Sequence, residues 1–419
     1  MGVRLNRKSK SNICRLQLHT SIMENHPPLN GIKILDLTQA MAGPIATMLL
    51  GDLGAEIVKI EPPAGDQTRS WAPPFINGIS AYFLSVNRNK KSISLDLKAP
   101  EGQEILKKLA AEADILIENF RPGIMDRLGL SYETAHEINP DLIYCSLSGY
   151  GQDGPQKDWP GYDLTVLANS GLLSLNSEEG RPPIKFGVPI ADIVSGLFAN
   201  SAILSALYER TISGEGQHID MSMLDANFTI LTHQAFNYFA TGRNPRKLGS
   251  AHSSIAPYQV FRTGDSFIAI AVGTEKLWKI FCSSIGRDDL TEHELFRENV
   301  LRVQNRDRLV EELENTFRNT TTSELFQKLL KAGIPAAPIN TIEDAVNNPQ
   351  IKARSLVSTI DTPYGKIPVM GSPFKMSRTP GKVSKAPPQL GEDSEAILSS
   401  LGYSKEEIES MKKEGIVKG

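Results

Sequence analysis

The sequence predicts an α/β fold: a large domain on a mostly parallel sheet and a smaller second domain. Three observations carry this. Short runs rich in Ile, Leu and Val recur along the first 150 residues, each the length of a buried strand. Segments with helical spacing alternate with them across short links, the pattern of βαβ units. From about Thr241 the texture changes to the loop-rich, basic stretch TGRNPRKLGSAHSSIAPYQVF and then to charged helical segments.

The elements follow in order. GIKILDLT, Gly31 to Thr38, reads as the first strand, and AMAGPIATMLLGDLG as a helix with Pro44 in its opening turn. AEIVKIEPP is a second strand, stopped by Pro62 and Pro63. SISLDL (Ser92–Leu97), the amphipathic EGQEILKKLAAEA and DILIENF (Asp114–Phe120) repeat the alternation. A helix over 131–138 and the strand LIYCSLSGYG come next. GVPIADIVSGLFANSAILSALYER reads as a buried helix with a single carboxylate, Asp192, near its head. SFIAIAVG is a strand of the second domain, 351–388 reads as extended Pro/Gly-rich connector, and YSKEEIESMKKEG closes the chain as an amphipathic helix. The domain expectation is therefore 1–28 as a leader, 29–235 as the large domain, 236–345 as the small one, and 346–419 as a linker and terminal segment returning to the large domain. Sites are expected at the carboxyl ends of the parallel strands.

Composition narrows the function. With 40% hydrophobic residues, 22% charged and a net charge of −3 over 419 residues, there is no general pull toward nucleic acid or acidic membrane. No apolar run reaches the roughly 18 residues of a spanning helix without polar interruption. Cys14, Cys145 and Cys282 are far apart, and no His pair has ligand spacing, so neither a disulfide scaffold nor a metal site is expected. GxGxxG after a strand, GxxxxGK[ST] and GxSxG are all missing, which argues against a dinucleotide, a P-loop nucleotide and an elbow-type hydrolase. The first 23 residues carry Arg4, Arg7, Lys8, Lys10 and Arg15 with no acid and no apolar h-region. That composition fits a mitochondrial transit segment or a basic disordered tail.

The residues also carry a resemblance. GIKILDLTQAMAGPIATMLLGDLGAEIVKIEPPAGD, NRNKKSISLDLK, ILIENFRPG, INPDLIYCSLSGYGQDGP, GYD, IADIVSG and PPQLGEDSEAILSSLGYSKEEI are similar to the class III CoA-transferases, the CaiB/BaiF group, which also includes α-methylacyl-CoA racemases. The similarity runs from Gly31 to the last helix. It implies an open, Rossmann-like large domain with a small α+β domain, two copies interlocked as a homodimer, and an enzyme needing no metal, ATP or redox cofactor. SVNRNKKSI and GSAHSSIAPYQVF most resemble the branch acting on succinyl-CoA and glutarate or hydroxymethylglutarate in mitochondria.

The resemblance assigns roles residue by residue. Asp192, with Gly196 four residues on, matches the family's A-D-x-x-x-G segment, whose aspartate attacks the acyl-CoA thioester. Read without the family, Asp192 would be a plain helix-cap residue worth about 1 kcal/mol. CoA is expected on Leu95 to Lys98, on Asn119, Phe120 and Arg121, and on Arg127. Any one of those cations alone would read as a solvated surface charge. Tyr162 stands in GYD where racemases carry a histidine; a phenol with pKa near 10 is a poor base at neutral pH, so acyl transfer is favoured over epimerisation. Tyr162 then donates a hydrogen bond to substrate or simply packs, and Asp163 reads as structural. Pro62 occupies the place of a CoA-binding Arg in formyl-CoA transferases, and Met41, after Ala40, the place of their substrate-facing Gln. Both departures argue against formyl-CoA. For the distal carboxylate of a dicarboxylic acid the residues at hand are Arg88, Arg246, Lys247, His252, Ser253 and Ser254; His252 either meets the acyl group or only shapes its loop.

Overall fold

The computed structural model describes residues 26–362 and 364–419. The leader read over residues 1–23 lies outside the described residues. The chain forms two compact units. One comprises the chain up to Val166, with Val188–Thr229 and Ser355–Gly419; the other comprises Leu167–Gly187 and Ile230–Arg354.

The first unit is built on β1 (Lys33–Asp36), β2 (Glu56–Glu61), the short hairpin β3 (Phe75–Ile76) and β4 (Ile79–Ser80), β5 (Lys90–Leu95), β6 (Ile115–Glu118), β7 (Ile143–Ser148) and β8 (His218–Ser222). The second unit contributes β9 (Tyr258–Arg262), β10 (Phe267–Ala271) and β11 (Ala336–Pro338). β12 (Val357–Thr362), β13 (Gly365–Met370) and β14 (Val417–Lys418) return to the first. The main sheet has the order β14-β5-β2-β1-β6-β7-β8. All its pairings are parallel except β14 on β5. β6 and β7 are buried along their whole length, as strands covered on both faces must be. β1 is the turning point of the order: the chain adds β2 and β5 on one side of it, then β6, β7 and β8 on the other.

The core of this unit joins Leu35, Val58, Ile93 and Leu116 of the sheet to Ile105, Leu106 and Leu109 of the Pro100–Ala111 helix. Ile397, Leu398, Ile408 and Met411 from the chain's end complete it, so β14 and its two preceding helices close the β5 edge. The helix Ile190–Ser213 spans 24 residues, long and apolar enough by length and composition to cross a bilayer. Its buried residues, among them Ala191, Ser195, Gly196, Ala199 and Asn200, face protein instead.

The second unit packs a three-stranded antiparallel sheet, order β11-β10-β9, against the helices Glu275–Ile285, Arg306–Phe317 and Thr322–Lys331. Trp278, Phe281, Phe261 and Phe317 form its centre. Two features differ from the sequence expectation. The Leu167–Gly187 excursion belongs to the second unit, while the sequence reading ran the large domain unbroken to 235. Within 351–388, the expected connector, β12 and β13 form an antiparallel hairpin. Ile367 and Val369 are buried with Leu84, while Lys366, Pro368 and Met370 face outward, a two-residue period that the prolines obscure in the sequence.

Candidate active site

The carboxyl ends of β1 and β6 diverge at the turning point of the sheet, where open α/β folds place their ligands. The two loops that leave them are stitched by one side chain. The Gln39 N–H donates to Asn119 Oδ1 at 2.9 Å, and Asn119 Nδ2 donates back to the Gln39 carbonyl at 2.8 Å. Ala40 follows with φ of +66°, a conformation most L residues avoid, and leads to Met41 at the start of the Ala42–Asp52 helix.

A fully buried ionic network holds this loop from below. Asp36, at the end of β1, accepts from the Thr38 N–H at 2.9 Å, from Thr47 Oγ1 at 2.7 Å and from Lys90 Nζ at 2.9 Å. Lys59 Nζ donates to the Thr38 carbonyl at 2.7 Å and pairs with Asp66 at 2.8 Å. Burial by itself would raise the Asp36 pKa, but the ammoniums of Lys90 and Lys59 and the two threonine hydroxyls outweigh it, and the carboxyl sits well below the usual range. Burial also dominates at Lys90, bringing it down to about 8 despite Asp36.

Asp192 lies in the first turn of the Ile190–Ser213 helix, partly buried. The turn is fixed on both sides. The Ala191 N–H donates to Asp163 Oδ1 at 2.8 Å, while the Ala191 carbonyl accepts from Ser195 Oγ at 2.7 Å and Asn227 Nδ2 at 3.2 Å. Four residues on, a Cβ at Gly196 would collide with the Ile45 side chain and come within 2.5 Å of the Ala42 carbonyl oxygen. The absence of a side chain there lets the two helices touch. Asn200 Nδ2 continues the contact with a bond to the Ala46 carbonyl at 3.2 Å. The Gly-Tyr-Asp segment that supplies Asp163 is itself seated by a glycine pair: a Cβ on Gly161 would lie 2.7 Å from the Gly149 Cα at the end of β7.

Tyr82, which the sequence reading passed over, ties these pieces together. Its ring packs with Met41, Ile45 and Met48. Its hydroxyl is pushed up to about 12, first by burial and then by the charges of Asp192, Asp163 and Asp66. Tyr82 therefore links the Met41 cluster to the charge of Asp192. Tyr162, next to Asp163, is 62% exposed.

The residues expected to hold CoA divide into two groups. Asn119, Phe120, Arg121 and Arg127 stand together after β6. Arg121 and Arg127 are exposed, and neither has a carboxylate partner among the described residues. Arg121 also borders a cavity of about 210 Å³ with Glu118, Ser146 and His218. Glu118 there is buried, which raises it to about 7 even though it accepts from the Phe120 N–H at 2.8 Å. Lys98 is exposed after β5, three strand spacings away, about 14 Å. Leu95 needs correcting: its side chain is wholly buried in the core and pairs in register with Val417, so it has no ligand-facing surface. Arg88 is likewise committed, forming a buried two-point pair with Asp52 at 2.9 and 2.7 Å.

In the second unit, Arg246 pairs with Glu179, and Lys247 donates to the Arg181 carbonyl at 3.1 Å. His252 lies in the loop before β9, and its Nδ1 accepts from the Ser254 N–H at 3.0 Å.

The family description CoA-transferase family III matches residues 29–394. The chain belongs to that family. Among its relatives, the succinyl-CoA:glutarate CoA-transferase of Mus musculus is 42% identical over 93% of this chain and 90% of that protein. The succinate–glutarate CoA-transferase of Agrobacterium fabrum is 38% identical over 91% of this chain and 98% of that one. A solved CAIB/BAIF family protein from Brucella suis superposes with a TM-score of 0.81 at 41% identity, covering 90% of this chain and all of that one. As a family III CoA-transferase the protein is an enzyme, and its mostly parallel sheet with small antiparallel sheets is the architecture of that neighbour.

Proposed function

We propose that the enzyme moves CoA between succinyl-CoA and a five- or six-carbon dicarboxylic acid, glutarate or hydroxymethylglutarate, with Asp192 as the nucleophile. The observation that carries this is the setting of Asp192: an aspartate in a pinned first helical turn, next to a close glycine contact between two helices, with its charge acting on the Tyr82 hydroxyl. The succinyl-CoA:glutarate and succinate–glutarate activities of the mouse and Agrobacterium relatives support the substrate pair.

The chemistry balances with no outside reagent. The Asp192 carboxylate attacks the succinyl thioester carbonyl, the C–S bond breaks, and CoA thiolate leaves a mixed anhydride. The thiolate attacks the aspartyl carbonyl and releases succinate, leaving an aspartyl–CoA thioester. The acceptor carboxylate displaces the thiolate to form a second anhydride. The thiolate then takes the acceptor acyl group and frees Asp192. CoA enters as a substrate, and no metal or redox cofactor is required. The partial positive charge of the helix N-terminus supports an ionised Asp192 and the oxyanions that form at its carbonyl. Initial rates at varied succinyl-CoA and glutarate should give parallel double-reciprocal lines, with glutaryl-CoA as product. Intersecting lines, or no glutaryl-CoA, would remove the reading.

Arg121 and Arg127 are assigned to the CoA phosphates because they are exposed, lack a carboxylate partner among the described residues and follow Asn119 within eight residues. Replacing both by alanine should raise KM for succinyl-CoA about tenfold or more, with a shallower salt dependence, while kcat moves much less. An unchanged KM would place the phosphates elsewhere.

The assembly is assigned as a homodimer. Leu197, Phe198, Tyr208 and Ile212 leave an apolar, exposed face on the Ile190–Ser213 helix that a second copy would cover. Light scattering should return about twice the chain mass. The basic, acid-free first 23 residues support a mitochondrial location. A fluorescent fusion should lose mitochondrial targeting when those residues are deleted.

A further inference from the structure

Glu118 is a buried acid that the proposed chemistry does not use. It ends β6, and the residues that follow it, Asn119, Phe120 and Arg121, are those assigned to CoA. Two of them are fixed by side-chain bonds. Asn119 is bonded in both directions to Gln39, in the loop after β1. The Phe120 N–H donates to Glu118 Oε2 at 2.8 Å. A bond from an amide to an ionised carboxylate is roughly twice as strong as one to a neutral acceptor. The charge of Glu118 therefore decides how firmly Phe120 is held, and with it the backbone of Arg121. Burial raises Glu118 to about 7; the Ser146 hydroxyl and the Phe120 N–H pull it down without prevailing, and Asp126 and Asp220 add to the rise.

The carboxyl is also connected to the surface. It is hydrogen-bonded to the Ser146 hydroxyl of β7, whose oxygen lies 3.0 Å from His218 Nε2 on β8. His218 is exposed, and its ring stacks on Tyr132 at 4.9 Å and 16°. Glu118, Ser146 and His218 border the same cavity as Arg121. The chain of bonds can run in two directions. An ionised Glu118 only accepts, so Ser146 donates to it and His218 Nε2–H donates to Ser146. A protonated Glu118 donates to Ser146, which donates to a bare Nε2. The two states differ by one proton. Taken up at His218 Nδ1, it releases the Nε2 proton to Ser146, while the Ser146 proton passes to Glu118.

The other titratable groups around Glu118 come from four elements. Asp126 lies on the Ile124–Arg127 helix and Glu133 on the Tyr132–Ile138 helix. Tyr144 and Cys145 lie on β7 and Asp220 on β8. Arg121 is the cation at the cavity rim. From β1, Asp36 stands in register with Ile117 and so belongs to the opposite face of the sheet. Burial pushes Tyr144 and Cys145 up, so both are neutral at pH 7. Burial holds His218 below its ordinary value although Asp220 and Glu133 act the other way, so its ring is neutral there too.

We propose that Glu118, as a carboxylate, is the positioning residue for the CoA-holding segment Asn119–Arg121, and that Ser146 and His218 form the path by which a proton reaches it. This rests on the reading of that segment as part of the CoA site. KM for succinyl-CoA therefore rises as pH falls through about 7, while kcat, set at Asp192, moves far less. Stability runs the other way. The folded pKa of Glu118 lies above its free value, so its contribution is fully present below about pH 4.3 and is lost as pH rises through about 7. The charge that orders the segment destabilises the fold, and a neutral amide in its place keeps the protein folded.

Glu118→Gln is the test, because the amide oxygen still accepts from the Phe120 N–H and only the charge is lost. At pH 8 the variant's KM for succinyl-CoA should be about fivefold above wild type, with kcat changed far less and a thermal midpoint no lower. A phosphomonoester such as that of CoA titrates near pH 6 and affects both proteins alike, so the ratio of the two KM values isolates Glu118. That ratio should fall from about five at pH 8 to near one at pH 6. In nitrogen NMR spectra of the whole protein, the neutral His218 ring should change from Nε2–H to Nδ1–H over the same range, and should keep one tautomer in Glu118→Gln. A ratio of one at every pH overturns the positioning role, and so does a KM that falls in the variant, which would mean that the carboxylate merely repels the phosphates. An unchanged tautomer in the wild type overturns the path. The double variant Arg121→Ala, Arg127→Ala separates this from the underlying reading. A raised KM there beside a ratio of one condemns Glu118 alone, whereas an unmoved KM in all variants removes the CoA assignment of the segment itself.

Discussion

Replacing Asp192 by alanine or asparagine should leave less than about a thousandth of wild-type CoA transfer while the melting temperature moves by only a few degrees. The activity loss follows from the chemistry: neither side chain offers a carboxylate to form the anhydride, and no other carboxylate stands in the same turn. The preserved stability follows from the geometry. The turn is held by Asp163, Ser195 and Asn227 through the backbone of Ala191, and by the close approach at Gly196, none of which involves the Asp192 side chain. Asp192→Glu keeps the carboxylate but moves it by roughly a bond length, and a misplacement of about 1 Å costs on the order of 100-fold. Ranking the three variants by turnover, with thermal melts alongside, checks both halves. A substantial residual rate in Asp192→Ala would show that the thioester is attacked directly by the acceptor.

Asp36→Asn should be among the most destabilising single changes in the chain, by about 3–5 kcal/mol, although Asp36 touches no substrate. It is the acid shared by Lys90, Thr38 and Thr47 in a site with no exposed surface. Losing its charge strands Lys90 in a dry interior. At about 2–4 °C per kcal/mol for a domain of this size, the melting temperature should fall by roughly 6–20 °C. Asp36→Asn combined with Lys90→Met should recover part of the loss, since an apolar side chain replaces the stranded charge. The pH dependence has a definite sign. The folded pKa of Asp36 is depressed, so its contribution is present above the ordinary Asp pKa near 3.9 and is lost as pH falls below it. Lys90 acts the other way. Its folded pKa of about 8 lies below its free value, so between about pH 8 and 10.4 its own term makes the protein more stable as pH rises. Denaturant midpoints at pH 3, 7 and 9.5 would reveal both, and a wild-type profile flat from pH 7 to 3 would contradict the assignment.

How much of this was legible before the structure depends on where the information resides. β1, β2, β6 and β7 were readable because strands buried on both faces are written as near-continuous apolar runs. β8 was missed because HIDMS carries polar residues at the sheet's far edge, and β14 because two residues have no periodicity to show. Lys59 and Lys90 were invisible as buried groups: a lysine inside IVKIE or NRNKKSI reads as a surface charge unless the position of Asp36 is known. Leu95 was misread because family position alone does not say that its side chain turns into the core. Asp192 was legible only through resemblance, since a lone carboxylate in the first turn of a helix is ordinarily a structural feature. Tyr82 needed tertiary proximity; 110 residues separate it from Asp192, and no spacing rule connects them.

The central claim is that Asp192 becomes covalently activated. The direct measurement is peptide mass spectrometry of the enzyme mixed with succinyl-CoA and quenched with hydroxylamine, which converts an activated aspartyl carbonyl to a hydroxamate. The expected result is a hydroxamate on the peptide containing Asp192, absent when acyl-CoA is withheld. An unmodified Asp192, with solvent deuterium entering the α-carbon of a branched acyl-CoA instead, would contradict the account and restore epimerisation as the reaction.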